Sequence, residues 1–434
     1  MQTRSMPGEP MWRSLLYFPL FYKNQYRSPE SFRQFQETRL RYIVSLAYRN
    51  VPLYHRKFKE CGLTPSDVTT LRDLTKIPIT TKEEIKAGFP HESVAPGYSE
   101  SNCVIETTSG TSGNMLTVLY DRKACEILQA VSFRAYLAQG LRPWHKYCVM
   151  CRDPAEFRKA TGTILSRTRG LLEGAPESKL VEELRAIKPD VIGAHPSLFV
   201  AMAKIIEKEA ITDITPRMLL IGGEMAYPVY RGYIERIFGC PTFNKYGAYE
   251  ANSLAWECGH HTMHMDADSV IMEFIRDGEP VSPGERGEIL ITNLWNEAMP
   301  FLRYRLDDVG VLSDEACPCG RTLPALKELE GKLDDFIILP SGELIPSTRI
   351  VPYFFIVPHI GQFKVLQDSP DHVELRIVPL EEFTEAMEKE LVTCIQNVLG
   401  ETVTVTIKRV EHIDLTGQGK YKRVQRTFKA DVPL

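Results

Sequence analysis

The segment Thr107-Thr108-Ser109-Gly110-Thr111-Ser112-Gly113-Asn114 interleaves hydroxyl side chains with glycines between two apolar runs. Such a turn offers side-chain donors and unobstructed backbone N–H groups to a single anion, and it can wrap the oxygens of a triphosphate. No Gly-Lys-Ser/Thr follows, so the usual phosphate-loop pattern fails. A solvated polar turn has the same composition. A second group is rich in thiols. Cys317-Pro318-Cys319-Gly320 sets two sulfurs on a tight turn, and Cys258 is followed six positions later by His264. Three thiolates and an imidazole make a closed tetrahedral zinc set. His260 or His261 is an alternative fourth ligand, and unrelated cysteines in a small β region are the plainer reading. Cys148 and Cys151 have redox spacing, but Tyr147, Val149 and Met150 around them read as a buried strand.

The rest of the chain must position these groups. At 434 residues it exceeds the size at which one core stops growing, so two or three domains are expected. The 52 Lys and Arg nearly balance 56 Asp and Glu, a net charge of -4, and this excludes an electrostatic nucleic-acid binder. No apolar run reaches the roughly 20 residues that span a bilayer. Ser14–Tyr22 is apolar but interrupted by Pro19 and preceded by Glu9, which reads as a buried or docking segment rather than a signal peptide. Cytoplasmic residence is the default expectation. Ten cysteines in so long a chain do not make a disulfide framework.

Helical periodicity runs from Ser31 to about Asn50, and Val51-Pro52 stops it. Farther on, short apolar strands alternate with helices. Val181–Ile187 leads into the strand Val191–Gly193, and Met218–Ile221 ends in Gly222-Gly223. The helix Tyr230–Ile237 then precedes Thr242-Phe243 and Tyr246-Gly247. This order predicts an α/β fold whose parallel sheet binds ligands beyond the carboxyl ends of its strands. Between about 255 and 330 the pattern changes to strands with Gly and Pro turns, at Val270–Phe274, Gly287–Thr292 and Val309–Leu312, predicting a small antiparallel β region. Past a charged joint at Gly331–Asp335, the segments Phe363–Leu366, His372–Ile377, Glu381–Leu399 and Val403–Val410 read as strand, strand, helix and strand. That unit of about 100 residues is large enough for a small α+β domain.

Six segments in order carry a resemblance. They are Ser109–Gly113, Gly222–Glu224, Asn244–Glu250, Arg303–Asp308, Glu330–Asp335 and Gly419–Val424. With Val51–Tyr54 and Leu74–Pro78, they resemble the adenylate-forming superfamily, and within it the phenylacetate–coenzyme A ligase group and its capsular-polysaccharide-biosynthesis relatives. The resemblance implies an adenylation domain over 1–332 and a mobile C-terminal lid over 333–434, hinged near Asp334. It implies a two-step reaction. A small, aryl carboxylic acid attacks the α-phosphorus of ATP, and coenzyme A then takes the acyl group and releases AMP.

The resemblance also assigns residues. Ser109, Gly110, Thr111, Ser112 and Gly113 would hold the β- and γ-phosphates. Glu250 would bind Mg2+, a cation that requires hard oxygen ligands. Gly223, Glu224, Asn244, Tyr246 and Gly247 would flank adenine, Asp308 would accept from the ribose hydroxyls, and Lys332 would add a cation. Lys420 would bridge the attacking carboxylate and the α-phosphate, which assists the transition state more than ground-state binding. The acid would lie near His195, Gly222 and Ala248, although a satisfied core histidine also fits His195. The Cys258, His264, Cys317 and Cys319 set would hold structural Zn2+. Three positions depart from the family pattern. Asn114-Met115 stands for Lys-Pro, Tyr249 for Thr or Ser, and Lys332 for Arg. Transfer to a carrier protein or an amine, or a non-catalytic nucleotide-binding relative, are the competing functions.

Overall fold

The computed structural model describes residues 13–108, 115–154, 167–413 and 423–428. The expected groups at Ser109, Gly110, Thr111, Ser112, Gly113 and Lys420 lie outside the described residues. Before the parallel sheet begins, β1 (Val104–Thr107) and β2 (Thr117–Tyr120) form an antiparallel pair in which Thr107 faces Thr117. Thr108 N donates to Leu116 O and Leu116 N to Thr108 Oγ1, both at 2.9 Å, so the two ends of the hydroxyl-rich segment are pinned together.

The parallel strands are β3 (Tyr147–Cys151), β4 (Thr168–Leu172), β5 (Val191–Ala194), β6 (Met218–Gly222) and β7 (Thr242–Tyr246), ordered β4-β3-β5-β6-β7. β3, β5 and β6 are apolar on both faces because both are covered, whereas the edge strand β4 exposes Arg169. Helices Glu177–Ile187, Pro196–Lys208 and Pro228–Phe238 pack on one face, where Cys148, Ile192, Leu219 and Ile221 are buried. Tyr136, from the helix Arg122–Gln139, joins Tyr147, Val191, Leu220 and Phe243 on the other. Cys148 and Cys151 are fully buried in β3, as a structural strand requires.

The expected antiparallel region is present and is joined to the parallel strands. It comprises β8 (Ala255–Glu257), β9 (Met263–Met265), β10 (Val270–Arg276), β11 (Glu279–Pro280), β12 (Arg286–Asn293), β13 (Tyr304–Ser313) and β14 (Ala325–Lys332). β7 pairs with β8, with Lys245 opposite Trp256, and the sheet continues β9-β14-β13-β12-β10-β11. The result is one mixed sheet of twelve strands. Periodicity reveals a strand but not its partner, so the seam was invisible in the sequence.

Two N-terminal readings gain detail in the structure. Ser14–Asn24 is helical through Pro19, with Phe21 and Asn24 buried while Leu16 is 68% exposed, so it docks by one side only. Asn24 Nδ2 donates to Asp268 Oδ2 at 3.0 Å, and fully buried Arg134 bridges Asp266 and Asp268 at 2.6 and 2.7 Å. Val51-Pro52 ends the helix Pro29–Asn50, but Pro52 opens the next one, Pro52–Glu60. Proline is pre-organised for a first helical position. None of the described helices is long and apolar enough to cross a membrane.

After β14, β15 (Phe336–Ile338) and β16 (Leu344–Pro346) form a hairpin. A four-stranded sheet follows, from β17 (Ile360–Ser369), β18 (His372–Pro379), β19 (Thr404–Arg409) and β20 (Val424–Arg426), in the order β19-β18-β17-β20 with the helix Glu385–Leu399. Its core is continuous with the helical cover of the parallel strands. At that seam Tyr230 and Phe355 have ring centroids 4.2 Å apart, and the Tyr227 and Ser347 hydroxyls lie 3.2 Å apart.

Candidate active site

The carboxyl ends of β5, β6 and β7 face the adjoining ends of β13 and β14 across a cleft of about 1340 Å³. Thr107 and Thr108 line it, as do His195, Gly222, Gly223, Glu224, Asn244, Tyr246, Gly247, Ala248, Glu250, Asp308, Lys332 and Asp334. Every expected nucleotide, acid and hinge residue among those described therefore meets in one place.

Backbone constraints explain the glycines. A Cβ on Gly222 would lie 2.6 Å from Lys245 O, and one on Gly223 would lie 2.4 Å from His195 Cε1. Gly223 also has φ +79, a conformation that L side chains rarely adopt. His195 precedes the helix Pro196–Lys208; its Nδ1 lies 2.6 Å from Gly222 O and its Nε2 2.6 Å from Glu173 Oε1. Burial would raise the Glu173 carboxyl, but its bond to His195 prevails and holds it below the ordinary range. Glu224 accepts from Ser197 N at 3.1 Å, which ties the β6 turn to that same helix start.

Asp308 lies in register with Lys332 across β13 and β14. Tyr246 donates its hydroxyl to Asp308 Oδ2 at 2.7 Å, and Lys332 Nζ lies 3.6 Å from Asp308 Oδ1. Asp308 leads the causes that hold the Lys332 ammonium in its charged form, although 60% of that side chain remains in contact with solvent. Neighbouring Asp307 lines the cleft at φ +59, and burial raises its carboxyl.

Glu250 is a buried carboxylate of the site, 7% exposed. Tyr304 donates to its Oε1 at 3.0 Å, a partner that sequence reasoning missed although Tyr304 sits inside a motif already singled out. Burial pushes the Glu250 carboxyl up, against the pull of Lys332, Tyr304 and Lys82. Lys82 is a second missed residue. The backbone bonds Thr80 N to Arg303 O at 2.9 Å and Arg305 N to Thr80 O at 3.0 Å hang it beside β13. Tyr249, the bulky departure, accepts at its backbone O from Tyr120 Oη at 2.5 Å. Asp334 lies in the turn Leu333–Asp335, 76% exposed and 3.6 Å from Arg426 Nη2.

Away from the cleft, Cys258, His264, Cys317 and Cys319 have ligand atoms all within 4.8 Å of one another. Cys258 and Cys317 sulfurs are 3.6 Å apart and His264 Nε2 is 3.2 Å from Cys319 Sγ. A disulfide needs about 2.05 Å, whereas sulfurs around a tetrahedral zinc at about 2.3 Å lie about 3.8 Å apart. Burial pushes His264 down to about 4, so the imidazole is neutral, as a ligand must be. His261 is not in the group: its Nδ1 faces Arg231 Nη2 at 2.7 Å and its ring stacks on Phe243. His260 is also outside it, with its backbone N rather than its ring directed to Cys258 Sγ at 3.4 Å.

Comparison with known proteins adds a family. The CapK C-terminal domain model matches residues 337–427. A phenylacetate–coenzyme A ligase of Pseudomonas putida is 30% identical over 374 residues, 80% of this chain and 83% of that protein. A phenylacetate–coenzyme A ligase of Thermus thermophilus is 26% identical over 383 residues, 84% and 85% of the two chains. Among solved structures, 2-hydroxyisobutyryl–coenzyme A ligase in the post-adenylation state superposes with a TM-score of 0.80 at 21% identity, covering 97% of this chain and 94% of that one.

Proposed function

The chain belongs to the phenylacetate–coenzyme A ligase family, and from that premise we propose an ATP-dependent, AMP-forming ligase that joins a small carboxylic acid to coenzyme A. The observation that carries this reading is the meeting of Glu250, Tyr246, Asp308 and Lys332 in one cleft, next to the pinned ends of the hydroxyl-rich segment.

In this reading the reaction asks for positioning and charge neutralisation rather than covalent help from the protein. Asp308, held by Tyr246, accepts from the ribose hydroxyls, and Tyr246 with Gly223 flanks the base. Lys332 keeps its charge beside Asp308, so the exchange of arginine for lysine loses a planar fork and not the cation. Ser109–Gly113 hold the departing phosphates. Glu250 fits a magnesium ligand, because a buried carboxylate raised by desolvation gains most from a cation; Mg2+ there would supply charge neutralisation on the phosphate oxygens. Lys420 brings an ammonium to the attacking carboxylate and the α-phosphorus. The acid carboxylate attacks that phosphorus and expels pyrophosphate; a coenzyme A thiol then attacks the acyl carbon and AMP leaves. Asp334 is the pivot between the two half-reactions, and residues 333–434 act as the lid. Cys258, His264, Cys317 and Cys319 hold a structural Zn2+, whose closed set leaves no position for a substrate.

The test is hydroxylamine trapping with ATP and Mg2+ across a panel of acids. Hydroxamate formation is expected with at least one acid, and Lys420→Ala should abolish it while leaving ATP binding largely intact. Near-normal pyrophosphate exchange by Lys420→Ala would refute the role of that lysine.

A further inference from the structure

Side chains alternate along a strand, and on β7 this divides the cleft in two. Tyr246 faces Asp308 at the corner assigned to the nucleotide. Lys245 faces the opposite way, toward the helix Arg122–Gln139, where its Nζ donates to Ser132 Oγ at 3.0 Å and lies 4.9 Å from the centre of the Tyr136 ring. Tyr136, Gln139, Tyr147, Val149 and Leu220 line this arm. Tyr147 crosses β5 at Gly193, where a Cβ would stand 2.5 Å from its hydroxyl.

Among the described residues, nothing anionic neutralises the half-buried Lys245, and no carboxylate lies within ion-pair distance of it. Its partners are a serine hydroxyl and an aromatic face. Two acids lining the cleft are engaged elsewhere, Glu173 with His195 at 2.6 Å and Glu257 with Arg231 at 2.8 Å. An apolar acid filling the arm would strip water from this cation and return nothing. A carboxylate there would restore charge and hydrogen bonding together. The reacting carboxylate cannot fill that role, since it must sit at the nucleotide corner on the other side of the strand.

Resting on the ligase reading, we propose that the acid is a dicarboxylic acid whose non-reacting carboxylate is held by Lys245, with Tyr136 against its carbon skeleton. Matched pairs test this in the hydroxamate assay on the full chain: phenylacetate against 4-carboxyphenylacetate, and butanoate against glutarate. For at least one pair, kcat/KM is expected to favour the diacid by about 10- to 100-fold, the range of one charged hydrogen bond. Lys245→Met should erase that preference by losing the diacid while keeping turnover of the monoacid, and Lys245→Arg should retain it. A wild-type preference for the monoacid in both pairs, or an unchanged ratio in Lys245→Met, would overturn the proposal. Should Lys245→Met not fold, the wild-type ratios decide. Hydroxamate from neither member of either pair nor from the wider acid panel would count against the ligase reading instead.

Discussion

At the scale of single residues, Glu250 trades stability for function. Burial raises its carboxyl, so the folded chain holds that proton more tightly than the unfolded chain does, and the function set against that cost is the cation binding proposed above. The stabilisation from this proton is fully present below the ordinary carboxylate range and is lost as pH rises through the raised value. At neutral or higher pH, nucleotide-free Glu250→Gln should therefore melt above the wild type, by about 1 kcal/mol, while losing Mg2+-dependent activity. Thermal melts across pH check this; a destabilised Gln variant at pH 8 contradicts it. Asp308→Ala removes both the partner of Tyr246 and the anion beside Lys332. It should raise the KM for ATP by about 10- to 100-fold with less effect on the KM for the acid, and an unchanged KM for ATP would remove Asp308 from the nucleotide site. That Glu250 and Asp308 line the cleft was legible because both sit inside motifs that carry the family resemblance. Tyr304, Lys82 and Glu173 were not assigned: each reaches its partner through tertiary register, which linear spacing does not encode.

At the scale of elements, the thiol cluster joins the β8–β9 hairpin to the segment before β14, where His264 lies opposite Ala325. Held zinc would clamp two strands of the mixed sheet. Purified protein is expected to contain one zinc per chain, and Cys317→Ser or a strong chelator should lower the melting temperature by several degrees. Metal analysis and melting curves check both, and a zinc-free protein of unchanged stability rules out the clamp. Gly223→Ala should cost about 1–3 kcal/mol, since positive φ and contact with His195 both oppose a side chain. β5 and β6 were legible from apolar runs ending in Gly193 and in Gly222-Gly223, whereas β4, with Thr168 and Arg169 at its start, was not read as a strand. The union of β7 with β8 was not legible, because it depends on a reversal and a long-range register. The helix Arg122–Gln139, which walls the arm proposed for the acid, also escaped, since its 18 residues mix apolar and charged positions without a decisive boundary signal beyond Asp121 and Gly140.

At the scale of the whole molecule, the C-terminal part shares a core with the helices behind the parallel strands. Rotation of residues 333–434 about Asp334 would have to break the Tyr230–Phe355 contact and the Tyr227–Ser347 contact. Asp334→Pro, which fixes φ at that turn, is expected to slow thioester formation more than acyl-adenylate formation. Separate assays of pyrophosphate release and coenzyme A thioester detect the difference, and equal loss in both would deny the turn a pivot role. The central claim, that one cleft gathers nucleotide and acid, is tested most directly by a crystal structure with a non-hydrolysable acyl-sulfamoyl-adenosine. We expect the ribose hydroxyls within hydrogen-bond reach of Asp308, adenine beside Tyr246 and Gly223, and the acyl group in the arm lined by Tyr136 and Tyr147. Nucleoside density anywhere else on the molecule, with Asp308 still bonded only to Tyr246 and Lys332, would contradict it.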